Sequence, residues 1–297
     1  MADARFQGSG VALVTPFTED GVREDILRTL VRFHQREGTD ALIVCGSTGE
    51  AATMTMKEQR RALEIVIDEN ADLLPVIAGC GGSDTAAVAE LAEQAAAAGA
   101  DGILVSGPPY NKPTQRGLVA HFQAVIEAAD LPLILYNVPG RSAVNILPAT
   151  IAELAEDDRV IGVKEASGDL SQVAELARVV GDRLAIWSGN DDQIVPVMAL
   201  GGVGVISVLA NVVPQEVRVM THRFLQGDVA GARQLQLRYL PLIQALFSES
   251  NPIPIKTAVR WLGFDAGPLR LPLVEMSADA RKRLLQALTD AGLRPLD

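Results

Sequence analysis

Lys164 stands near the end of an apolar run, Val160-Ile161-Gly162-Val163-Lys164-Glu165-Ala166-Ser167-Gly168, that reads as a β-strand. A lysine in an apolar wall has its charged form disfavoured, so its pKa falls and more of it is the free amine. Such an amine can condense with a ketone to give a Schiff base. The chain has five lysines, and the other four, Lys57, Lys112, Lys256 and Lys282, fall in loop-like or amphipathic helical stretches. The plainer readings are a lysine that snorkels from a strand end, or one half of an ion pair with Glu165.

The neighbours of other strand-like runs supply partners for that chemistry. Gly46-Ser47-Thr48-Gly49-Glu50 sets two hydroxyls between glycines, and its peptide N–H groups suit a carboxylate. Two of the three tyrosines, Tyr110 and Tyr136, also follow or end such runs, as do Arg141, Gly189 and Ile206. An imine on Lys164 acidifies the carbon next to it. A tyrosine hydroxyl linked to Ser/Thr hydroxyls can then shuttle the proton, while Arg141 can hold a carboxylate bidentately. Taken singly, each has an ordinary explanation as loop, packing or surface charge; the pattern at successive strand ends carries the argument. His34, His121 and His222 fall in helical patterns that suit packing or surface roles. Cys45 and Cys80 lie in apolar runs and read as core thiols, and no His/Cys/Asp/Glu set has metal spacing, so neither metal nor cofactor is expected.

The elements that would position these residues alternate. Strand candidates at 10–15, 41–46, 74–79, 102–106, 131–137, 160–164, 184–188 and 204–208 recur at the spacing of a βαβ step. Their near-continuous apolar character fits parallel strands covered on both faces. Helical patterns intervene at 57–70, 84–98 and 117–129, with cap chemistry at 83–84 and 142–145 and stops at Gly38 and Gly99. Eight such units describe an α/β chain folded as a (β/α)8 TIM barrel, residues 1–226, followed by a C-terminal helical extension, 227–297. The extension has helices near 229–247, 253–262 and 278–291 after a barrel helix at 214–225. A doubly wound open sheet would place a glycine-rich turn after the first strand, where Thr15-Pro16-Phe17-Thr18 stands instead. In a barrel the chemistry gathers at the C-terminal strand ends, where the residues above lie.

Composition bounds the partners. A net charge of −11 and 48% hydrophobic residues argue against nucleic acid or an anionic membrane, and for a large core. Residues 1–6 hold no apolar targeting segment, so the expected compartment is cytoplasmic.

With these segments in view, the chain resembles the dihydrodipicolinate synthase/N-acetylneuraminate lyase family of Schiff-base barrels. The resemblance runs from Ala12-Leu13-Val14-Thr15-Pro16-Phe17 to the helical tail. It rests most on Gly46-Ser47-Thr48-Gly49-Glu50, Tyr136-Asn137-Val138-Pro139 and Gly162-Val163-Lys164-Glu165-Ala166-Ser167-Gly168. It implies Lys164 as the Schiff-base lysine for pyruvate, Tyr136 as the proton-transferring hydroxyl, and Ser47 and Tyr110 as a relay, Tyr110 reaching in from a neighbouring subunit. Thr48 would hold the pyruvate carboxylate, with Gly189 and Ile206 lining the substrate.

Arg141 after Tyr-Asn-Val-Pro-Gly, the Tyr110-Asn111-Lys112-Pro113-Thr114 loop and Asn251-Pro252-Ile253-Pro254-Ile255-Lys256 resemble the synthase branch. That branch condenses pyruvate with the aldehyde L-aspartate 4-semialdehyde to 4-hydroxy-tetrahydrodipicolinate, in a homotetramer built from dimers. Serine at 47 is common in the sugar-acid lyases, so an aldolase for N-acetylneuraminate or a 2-keto-3-deoxy sugar acid stays open. So do a decarboxylating or dehydrating relative and a ligand-binding barrel without catalysis. Lysine-inhibited synthases resemble one another in a pocket with an aromatic just before the relay tyrosine and His, Asn and Glu nearby; here stand Pro109, Met56, Gln59 and Ala87, implying weak or absent feedback by L-lysine.

Overall fold

In the computed structural model, which describes residues 6–295, eight parallel strands close into a barrel. They are β1 (Gly8–Ala12), β2 (Ala41–Val44), β3 (Val76–Gly79), β4 (Gly102–Ser106), β5 (Leu133–Asn137), β6 (Val160–Glu165), β7 (Ala185–Ser188) and β8 (Gly204–Ser207). β1 pairs with both β2 and β8, which shuts the ring. Residues 1–5, and with them most of the N-terminal segment read above, lie outside the described residues.

Each strand feeds a helix: α1 (Glu24–Arg36), α2 (Met56–Asn70), α3 (Thr85–Ala98), α4 (Gln115–Ala128), α5 (Pro148–Leu154), α6 (Leu170–Val180), α7 (Ile194–Ala199) and α8 (Pro214–Leu225). The strands are largely apolar and almost wholly buried because they meet two cores. Leu42, Val44, Val105, Leu135 and Val163 face the helices, whereas Ile43, Ile77, Leu104, Ile134, Trp187 and Ile206 fill the barrel. Trp187 is fully buried and stacks on Phe6 at 4.9 Å, closing the barrel beneath Lys164. Gly162 leaves the room it needs, since a Cβ there would overlap the indole ring.

Helix ends follow local chemistry. Thr55 and Glu58 form a reciprocal capping box on α2, and Asp84, Thr114 and Asp169 cap α3, α4 and α6. Gly99 closes α3 with φ of 89°, and Gly38 at 78° follows α1 by two residues. The expected cap at 142–145 is a correction. α5 starts at Pro148 after Leu147, and the Ser142 hydroxyl turns back to the Val138 and Val144 carbonyls. The first strand likewise begins at Gly8 and ends at Ala12, earlier than the 10–15 expected, because Leu13 to Thr15 already belong to the loop over the active face.

Three further helices, α9 (Val229–Leu246), α10 (Ile253–Trp261) and α11 (Ala278–Asp290), form the C-terminal extension. It is tied to the barrel by polar groups. Gln236 of α9 donates to the Asp191 carbonyl at 2.8 Å. Lys256 of α10 donates to Glu50 at 2.7 Å and to the Pro268 carbonyl at 2.8 Å, and Arg270 pairs with Glu58.

Candidate active site

Register sets the centre of the site. A shift between β5 and β6 at Leu133/Ile134 brings Tyr136 opposite Lys164, and on the other side Lys164 faces Trp187. Lys164 is 5% exposed, and its amine lies 4.5 Å from the centre of the Tyr136 ring. It enters no salt bridge among the described residues. Burial lowers its pKa to about 7, with the positive charge of Arg141 adding to the effect and Asp191 opposing it. Near neutrality this amine is therefore available as free base far more than an ordinary lysine. Gly189 borders it closely, for a Cβ there would stand 3.1 Å from Lys164 Cε, and Ile206 lies with Tyr136 and Trp187 in the barrel interior.

Glu165 does not pair with Lys164. The alternation of a strand points it to the opposite face, where Asn137 Nδ2 donates to it at 3.0 Å and the Ser167 amide at 2.7 Å. Asn137 also binds Asn145 and the Ile146 amide, which locks the β5 and β6 ends together.

Tyr136 is buried, and burial raises its hydroxyl pKa while Arg141 and the nearby Ser47 hydroxyl pull it down. The phenol thus stays protonated at neutral pH and can donate. Ser47 is exposed in the loop after β2; Thr48 beside it is buried. Arg141 sits on a single turn, Pro139–Ser142, after β5. Thr48 and Arg141 meet through one residue: Asn251 Nδ2 donates to Thr48 Oγ1 at 2.9 Å, and Arg141 Nη2 donates to the Asn251 carbonyl at 2.8 Å.

The fold therefore gathers Lys164, Tyr136, Ser47, Thr48, Arg141, Gly189 and Ile206 on one face. It leaves Tyr110 apart. That side chain is 90% exposed on the loop between β4 and α4, with a left-handed backbone, φ 72°.

Sequence reasoning passes over three contributors. Asp191 is 1% exposed and accepts from Ser207 Oγ at 2.6 Å and from the Val208 and Leu209 amides at 3.0 and 2.9 Å. Its place at the end of β7 was the available signal. Asn251 stands in a segment that carries part of the family resemblance, but its contacts are not readable there, because its partners are 203 and 110 residues away in the chain. Lys256 reads as a helical surface lysine, yet it is fully buried against Glu50 and over the Phe17 ring at 4.3 Å.

The chain is similar to known proteins over nearly its whole length. A model of the dihydrodipicolinate synthetase family matches residues 5–291. A 4-hydroxy-tetrahydrodipicolinate synthase of Thermoanaerobacter sp. (strain X514) is 53% identical over 289 residues, 97% of each chain. The crystal structure of dihydrodipicolinate synthase from Aquifex aeolicus superimposes with a TM-score of 0.96 at 42% identity, covering 98% of this chain and all of that one. A synthase from Cyanidioschyzon merolae with lysine bound gives 0.95 at 40% identity, covering 98% of this chain and all of the other.

Proposed function

The chain belongs to the dihydrodipicolinate synthetase family, and from that premise we infer that it condenses pyruvate with L-aspartate 4-semialdehyde to 4-hydroxy-tetrahydrodipicolinate through a Schiff base on Lys164. One observation carries the reading: a buried lysine amine with no salt-bridge partner among the described residues, poised near neutrality beside a protonated tyrosine at the mouth of the barrel.

The chemistry follows from that placement. Neutral Lys164 adds to the keto carbon of pyruvate, and loss of water leaves a protonated imine. The imine draws electrons from the methyl group, which releases a proton to give an enamine. The enamine carbon attacks the aldehyde, whose oxygen takes a proton. The amine of the bound aldehyde, as free base, then adds to the imine carbon and expels Lys164, closing the ring. One water leaves overall. Tyr136 lies where it can relay these protons, with Ser47 next to it. Thr48 holds the carboxylate of pyruvate and Arg141 that of the aldehyde.

Tyr110 cannot complete this relay from its exposed position, so a second copy of the chain delivers it in a dimer, and dimers pair into tetramers. Mixing a Tyr110→Phe chain with a Lys164→Met chain tests this. If the tyrosine crosses the interface, mixed dimers contain one intact site and regain activity; no recovery in dimers shown to have mixed would place Tyr110 in its own chain's site or in none.

Lysine feedback is weak or absent. The Gln59 amide is already spent on the Ala51 and Met54 carbonyls at 3.1 and 3.4 Å, and Met56, Ala87 and Pro109 offer an amino acid no charged partner.

Borohydride reduction in the presence of pyruvate, followed by peptide mass spectrometry, tests the central claim. A pyruvyl adduct on Lys164 is expected, and folded protein that gains none would sink the mechanism. Turnover of N-acetylneuraminate in preference to aspartate semialdehyde would reassign the second substrate.

A further inference from the structure

We infer that Asn251 is a positioning residue that couples the two substrate pockets, and that the C-terminal extension holds it in place from outside the barrel. This inference rests on the assignment of Thr48 and Arg141 to the two substrate carboxylates. One residue binds both of their side chains and uses different groups to do so. The Asn251 side chain donates to Thr48 Oγ1, and its main-chain carbonyl accepts from Arg141.

The direction of the first bond has a chemical consequence. A hydroxyl has one proton and two lone pairs. Because the amide donates to Thr48 Oγ1, the threonine keeps its own proton free to give to a carboxylate. With an acceptor at position 251 the proton would be drawn the other way. The second bond fixes the guanidinium from behind, leaving other N–H groups of its fork for an incoming carboxylate. The two carboxylate holders are thus set at one spacing, that of a single residue.

Two further observations separate this from ordinary packing. Asn251 is 7% exposed, and its Oδ1 atom has no hydrogen-bond partner among the described residues. Leaving a buried acceptor unmatched costs stability, so the residue is held in this orientation at a loss. Its own segment is anchored unusually well. Five residues on, Lys256 is bound to Glu50, which itself ends the Gly46–Glu50 loop carrying Ser47 and Thr48. The Lys256 amide also bonds the Pro252 carbonyl at 2.9 Å, and Glu50 takes the Arg270 amide at 3.0 Å. Loop and extension therefore grip each other a second time at Glu50, two residues after Thr48.

The test uses the full-length enzyme and steady-state kinetics with each substrate varied in turn. Asn251→Asp, which replaces the donor by an acceptor and leaves the main-chain carbonyl, is expected to raise KM for pyruvate about tenfold or more, the scale of one lost hydrogen bond to a charged group. KM for the aldehyde should move little. The double variant Glu50→Gln/Lys256→Met, which removes both charges at similar volume, is expected to raise both KM values together while the protein stays folded. A pyruvate KM within twofold of wild type in Asn251→Asp overturns the inference, as does a fall in kcat and thermal midpoint with both KM values unchanged. Thr48→Val separates the two levels. If it raises the pyruvate KM when Asn251→Asp does not, Thr48 keeps its role and Asn251 loses its own; if Thr48→Val leaves that KM unchanged, the assignment of Thr48 falls and takes the coupling with it.

Discussion

Two lysines are buried in this molecule, and they could hardly be treated more differently. Lys256 is enclosed completely by an ion pair with Glu50, a backbone carbonyl and the face of Phe17. Lys164 has a tyrosine ring beside it and enters no salt bridge among the described residues. Burial disfavours both charges, but Glu50 works directly against that effect at Lys256, while at Lys164 the nearest help is the more distant Asp191, offset by Arg141. Burial alone therefore does not mark a reactive amine. A missing counter-ion does, because only then is the free base populated where an enzyme works.

The sharpest way to break the comparison is to remove each amine. Lys164→Met should lower kcat/KM on the order of 10⁴-fold or more, since the covalent route is lost and only binding remains, while the thermal midpoint holds or rises. Residual activity near that of wild type would dissolve the distinction. Lys256→Met should do the reverse, costing about 3–5 kcal/mol of stability by stranding the Glu50 carboxylate. Adding Glu50→Gln should restore most of that loss, measured by denaturant unfolding; a double variant as unstable as the single one would mean that Lys256 acts through packing.

The pH dependence sharpens the contrast further. Free base at Lys164 increases through about pH 7, so kcat/KM for pyruvate should climb about tenfold per unit below that point and level off above it. Asp191→Asn removes a charge that favours the ammonium and should move this limb to lower pH; Arg141→Gln should move it higher. Limbs that stay fixed in both variants would exclude a field effect on Lys164. Linkage gives the matching sign in stability. Between about pH 7 and the ordinary lysine pKa the unfolded chain binds the extra proton, so stability rises with pH across that window, and Lys164→Met should flatten the rise. The smallest effect expected is none: millimolar L-lysine should leave the rate unchanged, and inhibition below that level would restore a feedback site.

Much of this was legible in the chain. Strands apolar on both faces, recurring at the βαβ spacing, call for a parallel sheet covered on both faces, and eight of them, with Thr15-Pro16-Phe17-Thr18 where an open sheet would place a glycine-rich turn, point to the barrel. Local chemistry likewise determined the cap at Asp84 and the turn at Gly99. The placement of Lys164, Tyr136, Thr48 and Arg141 at strand ends was readable for the same reason: a barrel brings all its strand ends to one face.

What only tertiary structure decided are the contacts between segments distant in the chain. Glu165 turned from Lys164 once the strand's alternation met the Asn137 network. Tyr110 came out exposed because its loop stands clear of its own barrel. Lys256 and Asn251 joined a loop some two hundred residues earlier in the chain, at 2.7 and 2.9 Å. Periodicity and caps are written in neighbouring residues and can be read there. A buried pair is set by which surfaces the folded chain presses together, and nothing local in Asn251 or Lys256 records that.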